Sequence, residues 1–230
     1  MSRELTNKHV VIRPWPYGAL VVAGLLLFVL AALGIEGDSA GTIEIARFRS
    51  INDLPDAFAI PIWAFMQAGN LLVIPLGVVV AAFLREFRLA GAFALAGISK
   101  YFAARAIKTQ FVRHRPSVLI DDVNIRIGSS ETGLGFVSGH ATIAVAVAVI
   151  IHPYLKKPIA RVGLWVVTVL VLVGRVYAGA HFPLDVVGGA GIGLVIGAVT
   201  NLIVGVPART DARSGSEQPE EEGRPQETLT

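Results

Sequence analysis

Lys108 with Arg115-Pro116, then Ser138-Gly139-His140, then Arg175 followed by His181 and Asp185 are the residues of this 230-residue chain equipped to do chemistry. Cations, a Ser-Gly-His turn and a histidine with an aspartate four positions on are a kit for phosphoryl transfer, where positioning and charge supply most of the catalysis. Each cluster stands at the end of a long apolar stretch, where hydrocarbon gives way to water and charged groups are costly unless they have a function. The rest of the chain reads as the scaffold that must bring these clusters together.

That scaffold is a membrane one. Hydrophobic residues make up 53% and charged residues only 16% of the sequence, and mean hydropathy is +0.63, far from a soluble domain with about 25% charged residues. There is no cysteine, which excludes a disulfide framework, a thiolate nucleophile and a thiolate metal site. Formal net charge is +3, but residues 207–230 hold six acids against Arg209, Arg213 and Arg224. Taking those from the 20 basic and 17 acidic residues leaves 17 and 11, a body at +6. A basic body suits an anionic lipid or bilayer surface, and positive cytoplasmic loops give the same excess.

A bilayer core needs about 20 apolar residues per helix, and the chain offers about six such spans. The first is 17–35, read as an uncleaved span rather than a secretory signal. The uncharged run 57–84 is too long for one straight helix and contains Pro61, Gln67, Asn70 and Pro75. It divides into an interfacial helix over 56–65, anchored by Trp63, and a second span over 68–84. The others are 89–107, a helix from Gly139 to the Lys156-Lys157-Pro158 break, 159–177, and 183–206. The expected fold is therefore all-α, a polytopic bundle over 1–206, followed by a disordered acidic tail over 207–230.

Loop charges set the orientation. Arg3, Lys8 and Arg13, Arg85 and Arg88, Lys156, Lys157 and Arg161, and Arg209 and Arg213 share one face, read as cytoplasmic, with both termini. The opposite face receives Glu36, Asp38, Glu44, Asp53 and Asp56, and also Lys108, Arg113, Arg115, Arg126 and Arg175. Basic residues on the outer side run against the insertion rule, which marks them for a task, and all three clusters fall there. Within the third span Lys100, Arg105 and Lys108 project inside an arc of roughly 140°. This stripe is expected to face the bundle interior, with Lys100 paired there or alternatively catalytic, and Arg105 either snorkelling or contributing to the site.

The order and spacing of the clusters, Lys108 to Arg115-Pro116, Ser138-Gly139-His140, and Arg175 to His181 to Asp185, resemble the three-part signature of the type 2 phosphatidic acid phosphatase superfamily. Two positions depart from it: Val137 stands where the second motif usually has Pro, and Gly174 where the third usually has Ser. The resemblance implies His181 as a nucleophile forming a phosphohistidine, with Asp185 as its orienting partner. That role is physically reasonable, since a carboxylate fixes the tautomer of an imidazole and stabilises its developing charge. Pro183 would open the last helix and put Asp185 in its first turn, where the dipole favours an anion.

His140 is the candidate general acid. Ser138 is expected to cap the fourth span, and the amides at Gly139 to bind phosphate oxygens. Lys108, Arg115 and Arg175 would surround the transferring group. No cofactor or metal is required. The one compact acidic pair, Asp121-Asp122, reads as a solvated loop, and His9 and His152 fall on the other face. Arg113 and His114 are placed to touch a head group, and the loop 117–137 to select it. Gly189, Gly193 and Gly197 form a small-residue ridge that packs within the bundle, or alternatively makes a homo-oligomer contact.

The expected activity is hydrolysis of a membrane lipid phosphate or diphosphate at the outer face of the cell membrane. Polyprenyl diphosphate is preferred over phosphatidate or phosphatidylglycerol phosphate. The expected partners are the lipid substrate and the bilayer, not nucleic acid. The alternatives are transfer of the phosphoryl group to a lipid or sugar hydroxyl, and a lipid-phosphate binder or transporter without turnover.

Overall fold

The computed structural model describes residues 10–11, 14–129 and 132–207. The acidic tail expected from 207 onward thus lies, from residue 208, outside the described residues, as do Arg3, Lys8, His9 and Arg13. Among the described residues the helices are α1 (Pro14–Leu33), α2 (Thr42–Asn52), α3 (Ala59–Met66), α4 (Val73–Phe83), α5 (Phe87–Gln110), α6 (Pro116–Leu119), α7 (Gly139–Ile151), α8 (Pro158–Tyr177) and α9 (Pro183–Val204). A two-residue antiparallel pairing joins Val10–Val11 to Val206–Pro207.

The expected helical bundle is present, with differences in its spans. α1, α8 and α9 are long and apolar enough to cross a membrane by themselves. Asp56–Gly69 and Val73–Phe83 cross only if these two halves, bent by 62°, count as one broken span. The break falls at Asn70, whose side chain accepts the Leu72 N–H at 3.0 Å and holds a turn there. α5 is long, but Lys100, Arg105 and Lys108 lower its hydropathy, and α7 is apolar but short. Six spans are therefore not confirmed: among the described residues, three helices qualify by length and composition, with an optional fourth. The sequence reading also missed α2, because its residues TIEIARFRSIN are not apolar enough to read as a span.

Helix ends follow local chemistry. Pro158 and Pro183 start α8 and α9 at the first position, where a missing N–H costs nothing. Gly205, at φ +76°, ends α9 with a backbone that a side chain would resist.

α7 is the axis of the bundle, with every residue from Ala141 to Ile150 buried. α9 lies directly on it. A Cβ on Gly189 would come within 2.5 Å of the Ser138 carbonyl oxygen, and one on Gly193 within 2.7 Å of that of Thr142. A Cβ on Gly197 would stand 2.7 Å from the Val149 Cβ. The glycine ridge is thus used inside the bundle, and Asn201 locks the same pair by donating to the Val149 carbonyl at 2.9 Å. On the other side of α9, Gly191 meets Gly24 of α1, each glycine's Cβ position lying 2.5 Å from the other's carbonyl oxygen. Leu25, Leu26, Leu30 and Leu33 of α1 remain exposed as a lipid-facing surface. Gly193→Leu is expected to wedge α7 from α9 and cost at least about 1–3 kcal/mol, read as a lower unfolding temperature in detergent.

At one end of the bundle Arg88 donates to the Val204 carbonyl at 3.0 Å, bringing the start of α5 beside the end of α9. The end of α5 and the start of α9 are consequently at the opposite end, and that is where the polar clusters meet.

Candidate active site

His181 sits in the turn between α8 and α9 and is 3% exposed; Asp185, in the first turn of α9, is fully buried. His181 Nδ1 and Asp185 Oδ2 are 3.6 Å apart, within charge attraction but beyond a direct hydrogen bond. The same Oδ2 accepts the Phe182 N–H at 3.0 Å, so Asp185 caps its helix and faces the histidine at once. Burial holds His181 well below the usual histidine range, and Arg175, Arg115 and Lys108 push it the same way. The imidazole is therefore neutral near pH 7, the form that can attack phosphorus.

Asp185 Oδ1 belongs to a second network. It accepts from Arg113 at 3.0 Å, and the same guanidinium pairs with Glu44 of α2. Glu44 also accepts the Leu184 N–H at 3.0 Å, tying α2 to the start of α9. Arg113 is completely buried, with its guanidinium carbon 4.8 Å from the Phe182 ring centroid. It is enclosed behind Asp185, away from the surface where the sequence expectation had it meet a head group. Its neighbour His114 is also engaged, at 2.6 Å from Asp38. Gly135 closes the back of the network: a Cβ there would lie 2.9 Å from Asp185 Oδ2.

The three expected cations gather around this pair. Lys108 donates to the Leu134 carbonyl at 2.9 Å, Arg115 to that of Ala180 at 3.1 Å and Arg175 to that of Gly128 at 2.7 Å. These loop carbonyls orient each side chain while leaving other donors uncommitted. The Nε atoms of Arg115 and Arg175 are buried without a protein partner, as is the Ser138 hydroxyl. Ser138 occupies the N-cap position of α7, but its hydroxyl makes no cap bond, which corrects the capping role expected for it. It is a fully buried, unpartnered donor beside the free amides at Gly139 and His140. His140 is half-buried and lies within electrostatic reach of Arg175 and His181.

Other outer-face residues have different duties. Arg126 pairs with Asp56 at 2.8 Å and donates to the carbonyls of Asn52, Leu54 and Tyr177, so it fastens loops rather than substrate. Asp121 and Asp122 are exposed, and their carbonyls accept from Arg49. Arg105 points outward. Lys100 has no ion-pair partner among the described residues, against the expectation of a buried pair. Gly174 has a steric reason for departing from serine, because a Cβ there would meet Ile62 Cγ2 and Met66 Cγ at 2.8 Å. Val137 is buried with Phe136 and Ala31 and fills the place expected of a proline with apolar packing.

The convergence of these residues has a counterpart in sequence comparison, where the profile of the PAP2 superfamily matches residues 86–207, just over half of the chain. The chain belongs to the PAP2 superfamily. The PAP2 match runs from the start of α5 to the end of α9 and contains all eight expected site residues, but not Glu44. A lipid A 4'-phosphatase from Porphyromonas gingivalis is 33% identical over 93 residues, an alignment spanning 39% of each chain. The crystal structure of LpxE from Aquifex aeolicus superposes with a TM-score of 0.62 at 26% identity, covering 71% of this chain and 98% of that one. A transmembrane PAP2 type phosphatidylglycerolphosphate phosphatase from Bacillus subtilis shares the fold at a TM-score of 0.67 and 24% identity, over 79% and 94% of the two chains.

Glu44 and the buried role of Arg113 are what sequence reasoning missed. Glu44 lies 69 positions from Arg113, and the only local signal was an acidic residue in a short polar stretch between apolar ones.

Proposed function

We propose that this PAP2 protein is a membrane phosphatase that hydrolyses a lipid phosphate or diphosphate through a phosphohistidine on His181, at the outer face of the membrane with both termini cytoplasmic. With Asp185 beside Nδ1, the attacking atom is Nε2. It forms a bond to phosphorus as the bond to the leaving oxygen breaks, and His140 gives that oxygen a proton. Water, deprotonated by His140, then attacks the phosphohistidine and releases inorganic phosphate. Lys108, Arg115, Arg175, Ser138 and the amides at Gly139 stabilise the equatorial oxygens throughout.

The observation that carries this reading is the set of buried donors with no protein partner, Ser138 Oγ and the Nε atoms of Arg115 and Arg175, gathered around a neutral histidine. Unsatisfied buried donors are expensive unless a ligand completes them, and a tetrahedral oxyanion would complete these. The lipid phosphatases among its relatives support the same class of substrate. Charge stabilisation comes from side chains, so no metal is invoked.

The test is the purified full chain in detergent, given polyprenyl diphosphate, phosphatidate and phosphatidylglycerol phosphate with and without chelator. Phosphate release from at least one of them, unchanged by chelator and without an added acceptor, is the expected result. Release or transfer only when a lipid or sugar alcohol is added would make the protein a phosphotransferase. No turnover of any substrate would refute the enzymatic reading.

A further inference from the structure

Lys100 lies in α5 two helical turns before Lys108, about 12 Å nearer the start of that helix at 1.5 Å per residue. It is half-buried in an otherwise apolar stretch and has no ion-pair partner among the described residues, an arrangement that membrane interiors do not tolerate without a purpose. Its side chain ends at the first turn of α7: both Cε and Nζ lie 3.7 Å from the position a Cβ of Gly139 would take. The residue before Gly139 is Ser138, whose hydroxyl is buried and unpartnered.

The cations are not shared equally: Arg175 and Arg115 act on both His181 and His140, and Arg175 acts on His140 more strongly than Lys100 does. Arg175, Arg115 and Lys108 are the cations that act most strongly on His181. Lys100 acts on His140 and on Lys108. In an in-line displacement the nucleophile and the leaving oxygen lie on opposite sides of phosphorus. If His181 attacks and His140 protonates the leaving oxygen, Lys100 is on the leaving side, deeper along the helix. An uncharged lipid alcohol would present only hydrocarbon to that ammonium.

Resting on the phosphatase reading above, we infer that Lys100 is a further substrate-binding residue that holds a second phosphoryl group attached to the leaving oxygen, and so favours a diphosphate over a monophosphate. In the reaction the terminal phosphoryl group passes to His181, the P–O–P bond breaks, and the departing lipid monophosphate carries the charge that Lys100 neutralises.

The experiment compares the full-length wild type, Lys100→Met and Lys100→Arg in detergent on farnesyl diphosphate and farnesyl monophosphate. Lys100→Met is expected to lower kcat/KM for the diphosphate by about tenfold or more, the usual size for loss of a charge-assisted contact, and to change that for the monophosphate less than threefold. Lys100→Arg should recover most of the diphosphate activity. Activity on the monophosphate serves as the control for folding. Equal losses on both substrates, no loss on either, or a wild type that cleaves only the monophosphate would overturn the inference and leave the phosphatase reading standing. A wild type inactive on both would overturn the two together.

Discussion

Replacing His181 by alanine is expected to lower phosphate release at least about a hundredfold, and no labelled phosphoprotein should form when the variant is quenched in mid-reaction. His140→Ala should lose a similar factor in turnover. Because its proton is needed for departure and its basicity for hydrolysis, the first half-reaction should still be detectable with a substrate whose leaving group needs no protonation. The pH profile offers an independent check. Burial and the surrounding cations lower the affinity of His181 for a proton, so the nucleophile stays neutral well into the acid range. The acid limb of kcat should therefore fall below pH ~6.5, the ordinary histidine value. A limb at or above that value, or phosphoprotein in the His181→Ala variant, would remove the nucleophile from this position.

The second large effect concerns a residue with no place in the reaction. Arg113 neutralises two buried carboxylates, Glu44 and Asp185. Arg113→Ala would leave both acids buried without a countercharge, and removing one partner of such a pair typically costs about 3–5 kcal/mol. The expected result is a marked fall in unfolding temperature in detergent, together with low activity in whatever fraction remains folded. Arg113→Lys should restore part of the stability, because charge returns without the two-pronged geometry. It should restore less of the turnover, because Asp185 depends on that geometry for its orientation. Full activity and stability in Arg113→Ala would show that the buried network is dispensable.

The contrast between His181 and Arg113 shows what the amino-acid sequence makes legible. That His181, Asp185, His140 and the three cations would converge was legible because charged residues at the ends of apolar stretches are rare, and their spacing is tied to helix ends that Pro183 and Pro158 mark openly. The glycine ridge of α9 was readable for a similar reason, since its four-residue period is local. Arg113 was misread because nothing within its own segment reveals that Glu44, on a helix too polar to look like a span, lies against it. Ser138 was placed at the right position and given the wrong duty. Its helix start was evident, whereas whether its hydroxyl turns to the backbone depends on everything packed around it. The count of six spans is not confirmed, because cations lower the hydropathy of α5 and α7 is short.

The Glu44 carboxylate has one more implication, for how little of this chain could be kept. A polypeptide trimmed to begin at residue 86 would preserve every signature residue, yet it would lose the anion that balances Arg113 and the α1 glycine that nests against Gly191. The smallest stable fold is therefore expected to be larger than the recognisable motifs. It is expected to begin upstream of Gly24, among residues to which no chemistry is assigned.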